Sequence, residues 1–347
     1  MGLTAATIAV ALGITALLVA AVDGSPGAVF SSLVEGSVGS GPAFAQTLVE
    51  ATPLLLVAAG TCISSRAGVF NIGQEGQVLI GAAVGTFIGL RTQGPPWLVL
   101  TLSLLGAALG GALWASIAGV MRYRRSVDVV VSTLLLIFVA EQLVTYLVNN
   151  PSLLQETRRP GEIVTAQSDA LAPAYRLPTL GQYPGFSVGA GLFIAVGLAL
   201  AVAVALSRSR WGFRVRMLGH NPLTARHAGV REGLLGGTAL ALSGAFAGLA
   251  GGVVLTGEVY RLQPGMSDHY GWDGLLVALV ARDNPVGAVG MAVVFGALRS
   301  GGGMLATAGV PAYLVDIMQA LLVFALVLPA VLLAAWRGMR ASRGSAG

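Results

Sequence analysis

Two stretches of this chain combine glycine with hydrogen-bonding side chains in a way that suits contact with a polar solute. They are Asn71-Ile72-Gly73-Gln74-Glu75-Gly76 and, far downstream, Gly271-Trp272-Asp273-Gly274. Asn71, Gln74 and Glu75 offer donors and acceptors, and glycine permits tight turns and close helix approach. The same groups could instead cap helix ends and satisfy one another. Three more carboxylates, Glu50, Glu141 and Asp316, fall inside apolar runs, where an ionised acid costs on the order of 3 kcal/mol and therefore needs partners. Glu141 has Thr145 one turn later and Asp316 has Gln319 at similar spacing, so each pair shares a helix face. They fit either a polar path or interhelical hydrogen bonding that fixes the bundle. Asp128, beside Arg124 and Arg125, reads as interfacial. His269, between Asp268 and Tyr270 and close to Asp273, could transfer a proton. The other histidines, His220 and His227, lie in an arginine-rich loop, and no His-x-x-x-His or Glu-x-x-His spacing points to a metal.

The elements that must hold these groups are set by composition. Of 347 residues, 55% are hydrophobic and 10% charged, with a mean hydropathy of +0.80, which is outside the range of soluble domains. All twenty basic residues are arginine. Without lysine the chain has no Walker-type nucleotide site, so any ATP-driven work belongs to a partner. Lone Cys62 excludes a disulfide framework and a cysteine metal site. Arginine in place of lysine, with abundant alanine and glycine, points to a GC-rich bacterial genome. The pI near 9.9 reflects charge split among short loops and not a nucleic-acid surface.

A helix needs roughly 20 residues to cross ~30 Å of hydrocarbon. Apolar runs of that kind lie at 3–22, 43–63, 96–120, 127–148, 187–206, 234–256 and 311–336, with a shorter one at 77–90 and a broken pair near 274–300. The first run lacks a basic leader, so a retained span is expected there. Arg122, Arg124 and Arg125 share one short loop; Arg208, Arg210, Arg214, Arg216, Arg226 and Arg231 share another; Arg337, Arg340 and Arg343 fill the tail. These stretches are expected to face the cytoplasm, with both termini inside and 149–186 outside. In that outer segment Glu156, Arg158, Arg159, Glu162 and Asp169 could form docking ion pairs, or remain a solvated loop. Trp97, Tyr146, Tyr183, Trp211, Tyr313 and Trp336 fall near expected span ends.

The run at 77–90 is too short for a full crossing, and the second copy of the glycine-acid pattern precedes a stretch interrupted at Arg282-Asp283-Asn284-Pro285. Both therefore read as broken or re-entrant helices, tolerated at membrane depth only where protein or a watery cavity satisfies the backbone. In this topology the two copies lie at opposite ends of their spans. That predicts an inverted repeat, roughly 43–148 and 234–336, with the breaks facing each other near the midplane. The expected fold is an all-α polytopic membrane protein of about eight to ten transmembrane helices in a single domain. Gly244, Ala245, Gly248, Gly251 and Gly252 read as a tight helix-packing face.

The segment from Ser65 to Gly81, with Gly68, Asn71-Ile72-Gly73, Glu75-Gly76 and Gly81, resembles the permeases of ATP-binding-cassette importers for branched-chain amino acids, simple sugars and nucleosides. Ser132-Thr133-Leu134-Leu135-Leu136, Gly219-His220-Asn221-Pro222 with Ala225-Arg226 and Ala228-Gly229, and the block from Pro264 to Gly301 agree. The last is nearest the nucleoside and simple-sugar branch. The resemblance covers roughly 45–335. It implies an import subunit of a bacterial plasma membrane that works by alternating access. Implied partners are a second permease, identical or different, cytoplasmic ATPase cassettes, an extracytoplasmic substrate-binding protein or lipoprotein, and lipid. No nucleic acid, cofactor or metal is implied.

Glu50, Asn71, Gln74, Glu75, Thr133, Glu141, Trp272 and Asp273 would line the path. Within the cytoplasmic loop 207–233, Gly219, Asn221, Pro222, Ala225, Arg226 and Gly229 would couple to the ATPase. Locally, Asn221 can cap exposed amides and Pro222 suits a first turn, so a short helix is expected from there. The chain departs from the pattern at Val129 and Ile137, where an acid and an asparagine are expected. A branched-chain amino acid as cargo, a proton-coupled carrier and an intramembrane enzyme are the competing readings.

Overall fold

The computed structural model describes residues 26–157, 165–183, 186–307, 317, 320, 321 and 324. The runs expected at 3–22 and 311–336 lie outside the described residues, as do Arg158, Arg159, Glu162, Tyr313, Asp316, Gln319, Trp336, Arg337, Arg340 and Arg343. The helices are α1 (Pro26–Ser37), α2 (Gly41–Arg66), α3 (Gln74–Arg91), α4 (Pro96–Arg125), α5 (Val129–Asn149), α6 (Ala190–Arg208), α7 (Arg210–His220), α8 (Pro222–His227), α9 (Glu232–Val254), α10 (Tyr270–Val280) and α11 (Pro285–Thr307). A π-helical turn, Leu255–Val259, prolongs α9. Six of these segments are long and apolar enough to cross a membrane: Gly41–Arg66, Pro96–Arg125, Val129–Asn149, Ala190–Arg208, Glu232–Val259 and Pro285–Met304. The expected all-α polytopic membrane fold is therefore present. One departure is a small antiparallel hairpin, β1 (Thr179–Tyr183) with β2 (Phe186–Gly189), which takes up the end of the segment 149–186 read as a loop and the start of the run at 187–206 read as a span.

The chain divides into two compact units, Leu48–Phe295 and a second built from Met1–Thr47 with Gly296–Gly347. In the second, the Ser300 hydroxyl donates to the Gly36 carbonyl at 2.8 Å and the Thr47 hydroxyl to that of Ser37 at 2.8 Å.

The larger unit is built around α3, α4 and α9, which cross at backbone distance. A Cβ on Gly248 of α9 would lie 2.3 Å from the Ala107 carbonyl oxygen of α4, and one on Gly81 of α3 would lie 2.3 Å from the Gly248 Cα. Lipid tails are as apolar as leucine, so helices in a bilayer gain little from burying aliphatic side chains. Close packing of small residues supplies the contact, as the series around Gly248 predicts. Away from the crossing, Leu105, Leu109 and Leu113 of α4 and Leu135, Phe138 and Val139 of α5 are exposed, a surface suited to hydrocarbon. Cys62 is fully buried within α2.

Two opposite ends of this unit follow from its contacts. At one, the Tyr123 ring of α4 packs on Gly233 and Gly236 of α9, Gly219 of α7 abuts Arg66, and the Ser65 hydroxyl reaches Asp283. Asp128 caps α5 there by accepting from the Val130 and Val131 amides. At the other end Arg91 donates to the Leu153 carbonyl, and the backbones of Ser168 and Leu171 pair with those of Leu262 and Tyr260. The arginines of the α4–α5 turn and of 208–231 thus share one end.

Candidate functional site

The chain leaves α2 at Arg66, turns through Gly68 at φ +73°, and enters α3 only at Gln74. Gly68 and Phe70 of this gap are exposed, whereas Asn71 is fully buried. The Asn71 amide donates to Gln77 Oε1 at 2.9 Å and to Ser243 Oγ at 3.0 Å, while its oxygen accepts from Gln77 Nε2 at 3.0 Å and the Gly73 amide at 3.2 Å. Gln74 donates to Ser243 Oγ at 3.1 Å and to the Val57 carbonyl at 3.3 Å, and accepts from Thr61 Oγ1 at 2.9 Å. Val57 and Thr61 precede Arg66 by nine and five residues, so the network sits about 8–14 Å in from that end of α2. Asn71 and Gln74, read as solute contacts, are turned toward each other and toward α9. Gln77, Thr61 and Ser243, which the sequence did not single out, complete the set. Replacing Asn71 by alanine strands the Gln77 amide in a dry interior and is expected to destabilise the fold by about 1–3 kcal/mol. Thermal unfolding in detergent measures this, and an unchanged midpoint would show that the network is dispensable.

Glu75 does something different. Its Oε2 accepts from the Gly271 amide at 2.8 Å and its Oε1 from the His269 amide at 3.2 Å, which places a carboxyl group on amides at the start of α10 that have no partner within the helix. The approach is close enough to require glycine, since a Cβ on Gly271 would lie 2.3 Å from the Glu75 nitrogen. The first turns of the two broken helices therefore meet. At eleven residues, α10 is about 16 Å long, half of a ~30 Å hydrocarbon layer. It lies between two pairs of consecutive residues with left-handed backbone, Asp268 (φ +39°) with His269 (+63°), and Arg282 (+56°) with Asp283 (+53°). Side chains disfavour that region by roughly 1–2 kcal/mol per residue.

Beside this junction lies a cavity of about 340 Å³, lined by Glu75, Glu141, Gln142, Thr145, Ser267 and Asp268 among others. The structure thus brings Glu75 and Glu141 to one space, from α3 and α5. The remaining expected path residues lie elsewhere. Glu50 accepts from the Tyr270 hydroxyl at 2.8 Å, with Glu258 of the π turn on the same hydroxyl at 3.5 Å. Thr133 is buried and donates back to Val129, with its carbonyl where a Gly73 Cβ would fall. Trp272 and Asp273 are half-buried in the first turn of α10 and do not line the cavity. Ile137, one departure from the family pattern, lies against Gly76 at the α3–α5 contact.

At the arginine-rich end α8 forms as its start signal predicts, with the Asn221 side chain accepting from the Leu223 and Thr224 amides and Pro222 in the first turn. Ala225 is buried, and Gly229 turns at φ +79°. Arg226, expected to await an outside carboxylate, bonds Glu232 within the chain through Nε at 2.8 Å. Gly219 admits no side chain, because a Cβ there would lie 2.3 Å from the Arg66 carbonyl oxygen. At the opposite end Glu156 and Asp169, read as docking groups or as part of a solvated loop, make internal bonds. Glu156 accepts from Gln167 and Thr165 and pairs with Arg261 at 2.8 Å, and these partners hold its carboxyl below the usual glutamate range. Asp169 accepts from the Thr157 amide and hydroxyl. The Arg176 guanidinium stacks 4.0 Å from the Tyr260 ring centre.

Comparison with known proteins places the chain in a family. The chain is 32% identical to a glucose ABC transporter permease protein of Haloferax volcanii, over 92% of this chain and 85% of that protein. It is also 32% identical to a guanosine ABC transporter permease protein of Bacillus subtilis, over 91% and 90%, and 24% identical to a nucleoside ABC transporter permease protein of Lactococcus lactis, over 85% and 82%. No solved structure matches. Residues 43–327 match the family described as the branched-chain amino acid transport system / permease component, and to that family of membrane permeases this chain belongs.

Proposed function

We propose that the chain is the membrane-embedded subunit of an ABC importer for a nucleoside or simple sugar, a translocation subunit and not an enzyme. The observation that carries this reading is the likeness, across about nine-tenths of the chain, to permeases named for glucose and guanosine. The absence of lysine agrees that ATP is hydrolysed by a separate subunit. Its partners are then a cytoplasmic ATPase, a second permease and an extracytoplasmic binding protein. The arginine-rich end is cytoplasmic by the distribution of positive charge. The two broken helices, meeting through Glu75 and Gly271 and running away from each other, support an inverted repeat with the solute passing along the cavity of Glu75 and Glu141.

Uptake of labelled guanosine, glucose and leucine into proteoliposomes holding the assembly tests the reading. ATP-dependent entry of guanosine or glucose is expected. Entry of leucine alone would move the cargo to branched-chain amino acids, and entry driven by a proton gradient without ATP would overturn the importer.

In this reading α8 is the element that docks on the ATPase. In the Arg226–Glu232 pair the arginine is exposed and the glutamate half-buried, and a pair at the surface is worth about 0–1 kcal/mol, so Arg226 is readily exchanged onto a partner carboxylate. Arg226→Glu is expected to lower uptake about tenfold while ATP hydrolysis persists. Glu232→Gln, which breaks only the internal pair, should leave uptake near wild type. Equal losses in the two variants would assign Arg226 to local structure.

A further inference from the structure

The half-helix α10 is tied at both ends to one short piece of chain, residues 65–75. At its start Glu75 holds the His269 and Gly271 amides. Past its last turn, the Ser65 hydroxyl donates to Asp283 Oδ2 at 2.7 Å and Arg66 Nε donates to the Asp283 carbonyl at 3.2 Å. The same Arg66 presents its own carbonyl to Gly219, and Gly68 lies with its nitrogen 2.9 Å from the Cβ position of Gly219. Gly219 lies in the last turn of α7, two residues before Asn221, the cap of α8. Rigid backbone contact and short hydrogen bonds therefore run from the foot of α8, through Ser65 and Arg66, to the far end of α10. Of the two Asp283 carboxylate oxygens, Oδ1 is buried without a hydrogen-bond partner, so this aspartate is incompletely satisfied in the present arrangement.

We propose that Ser65, Arg66 and Asp283 form the relay by which displacement of α8 reaches α10 and the cavity beside it. The inference rests on the reading of α8 as the ATPase-docking element. A push on α8 meets Arg66 and Gly68 with no side chain between to absorb it. The hydrogen bonds to Asp283 then carry it to α10, whose flanking left-handed pairs, Asp268-His269 and Arg282-Asp283, are the places where backbone angles change most readily. All three side chains are positioning residues; none lines the cavity.

The test uses the assembly that an affinity tag on this chain retains from its native membrane, reconstituted with labelled guanosine or glucose. Uptake and ATP hydrolysis are measured together. Ser65→Ala and Asp283→Asn are expected to keep hydrolysis within about twofold and to lower solute moved per ATP by about tenfold. Ser65→Thr, which keeps the hydroxyl, should restore the ratio. An unchanged ratio in both variants, or uptake and hydrolysis falling in proportion to assembled protein, overturns the relay. Wild-type assembly that shows no ATP-driven uptake overturns the functional reading itself, and the relay with it.

Discussion

Replacing Gly248 by valine should leave almost no folded protein in the membrane. The Cβ alone would lie 2.3 Å from the Ala107 carbonyl oxygen and 2.9 Å from Gly111 atoms, and Gly81 approaches Gly248 from a third helix. All of these neighbours are backbone, so no rotamer change relieves the clash. Overpacking of an ordinary core costs about 1–3 kcal/mol; three helices held backbone to backbone should exceed that range, because moving any one separates the other two. Alanine, which carries the same Cβ, is expected to lose most of the folded protein as well. The monodisperse yield after detergent extraction reads the effect. Wild-type yield of the valine variant would mean that α3, α4 and α9 do not cross as described.

The second large effect is expected at Glu75. Its two oxygens accept from amides of another helix, an arrangement that neither neutral nor shorter side chains reproduce. Glutamine presents one acceptor and one donor, so one amide of the α10 entrance meets another N–H. A hydrogen bond to a charged group contributes about 1.5–3 kcal/mol, and each 1.4 kcal/mol is a factor of ten. Glu75→Gln should therefore lower uptake by at least about tenfold while the assembly still forms. Aspartate, which keeps the charge but not the reach, should fall between. Full uptake by the glutamine variant at matched expression would remove Glu75 from the mechanism.

How much of this was legible beforehand differs residue by residue. Of the long spans, those expected at 3–22 and 311–336 lie outside the described residues; the five expected between 43 and 256 were legible, because length and apolarity alone decide whether a helix can cross a bilayer. So was α8, whose Asn221 cap and Pro222 first turn act within four residues. Asn71 and Gln74 stood out as polar groups beside an apolar helix, yet the direction they face depends on Ser243, 172 and 169 residues away. A serine in a glycine-rich helix carries no local mark of that pairing. Glu75 and Glu141 were both identified, and their common cavity was not, since it depends on how α3 and α5 pack. The left-handed pairs flanking α10 contain no glycine or asparagine to announce them. Glu156 and Asp169 read as docking groups or as part of a solvated loop because sequence shows a charge without its partner. In the folded chain Arg261 and Thr157 supply those partners.

The fully buried thiol of Cys62 has a practical consequence for following these motions. It is the chain's sole cysteine and is enclosed within α2, so a maleimide dye or nitroxide introduced at an engineered surface site will react there and leave the native sulfur untouched. Pairs of probes on α8 and on α10 can thus report distances in the otherwise unaltered protein, with no background substitution to correct for.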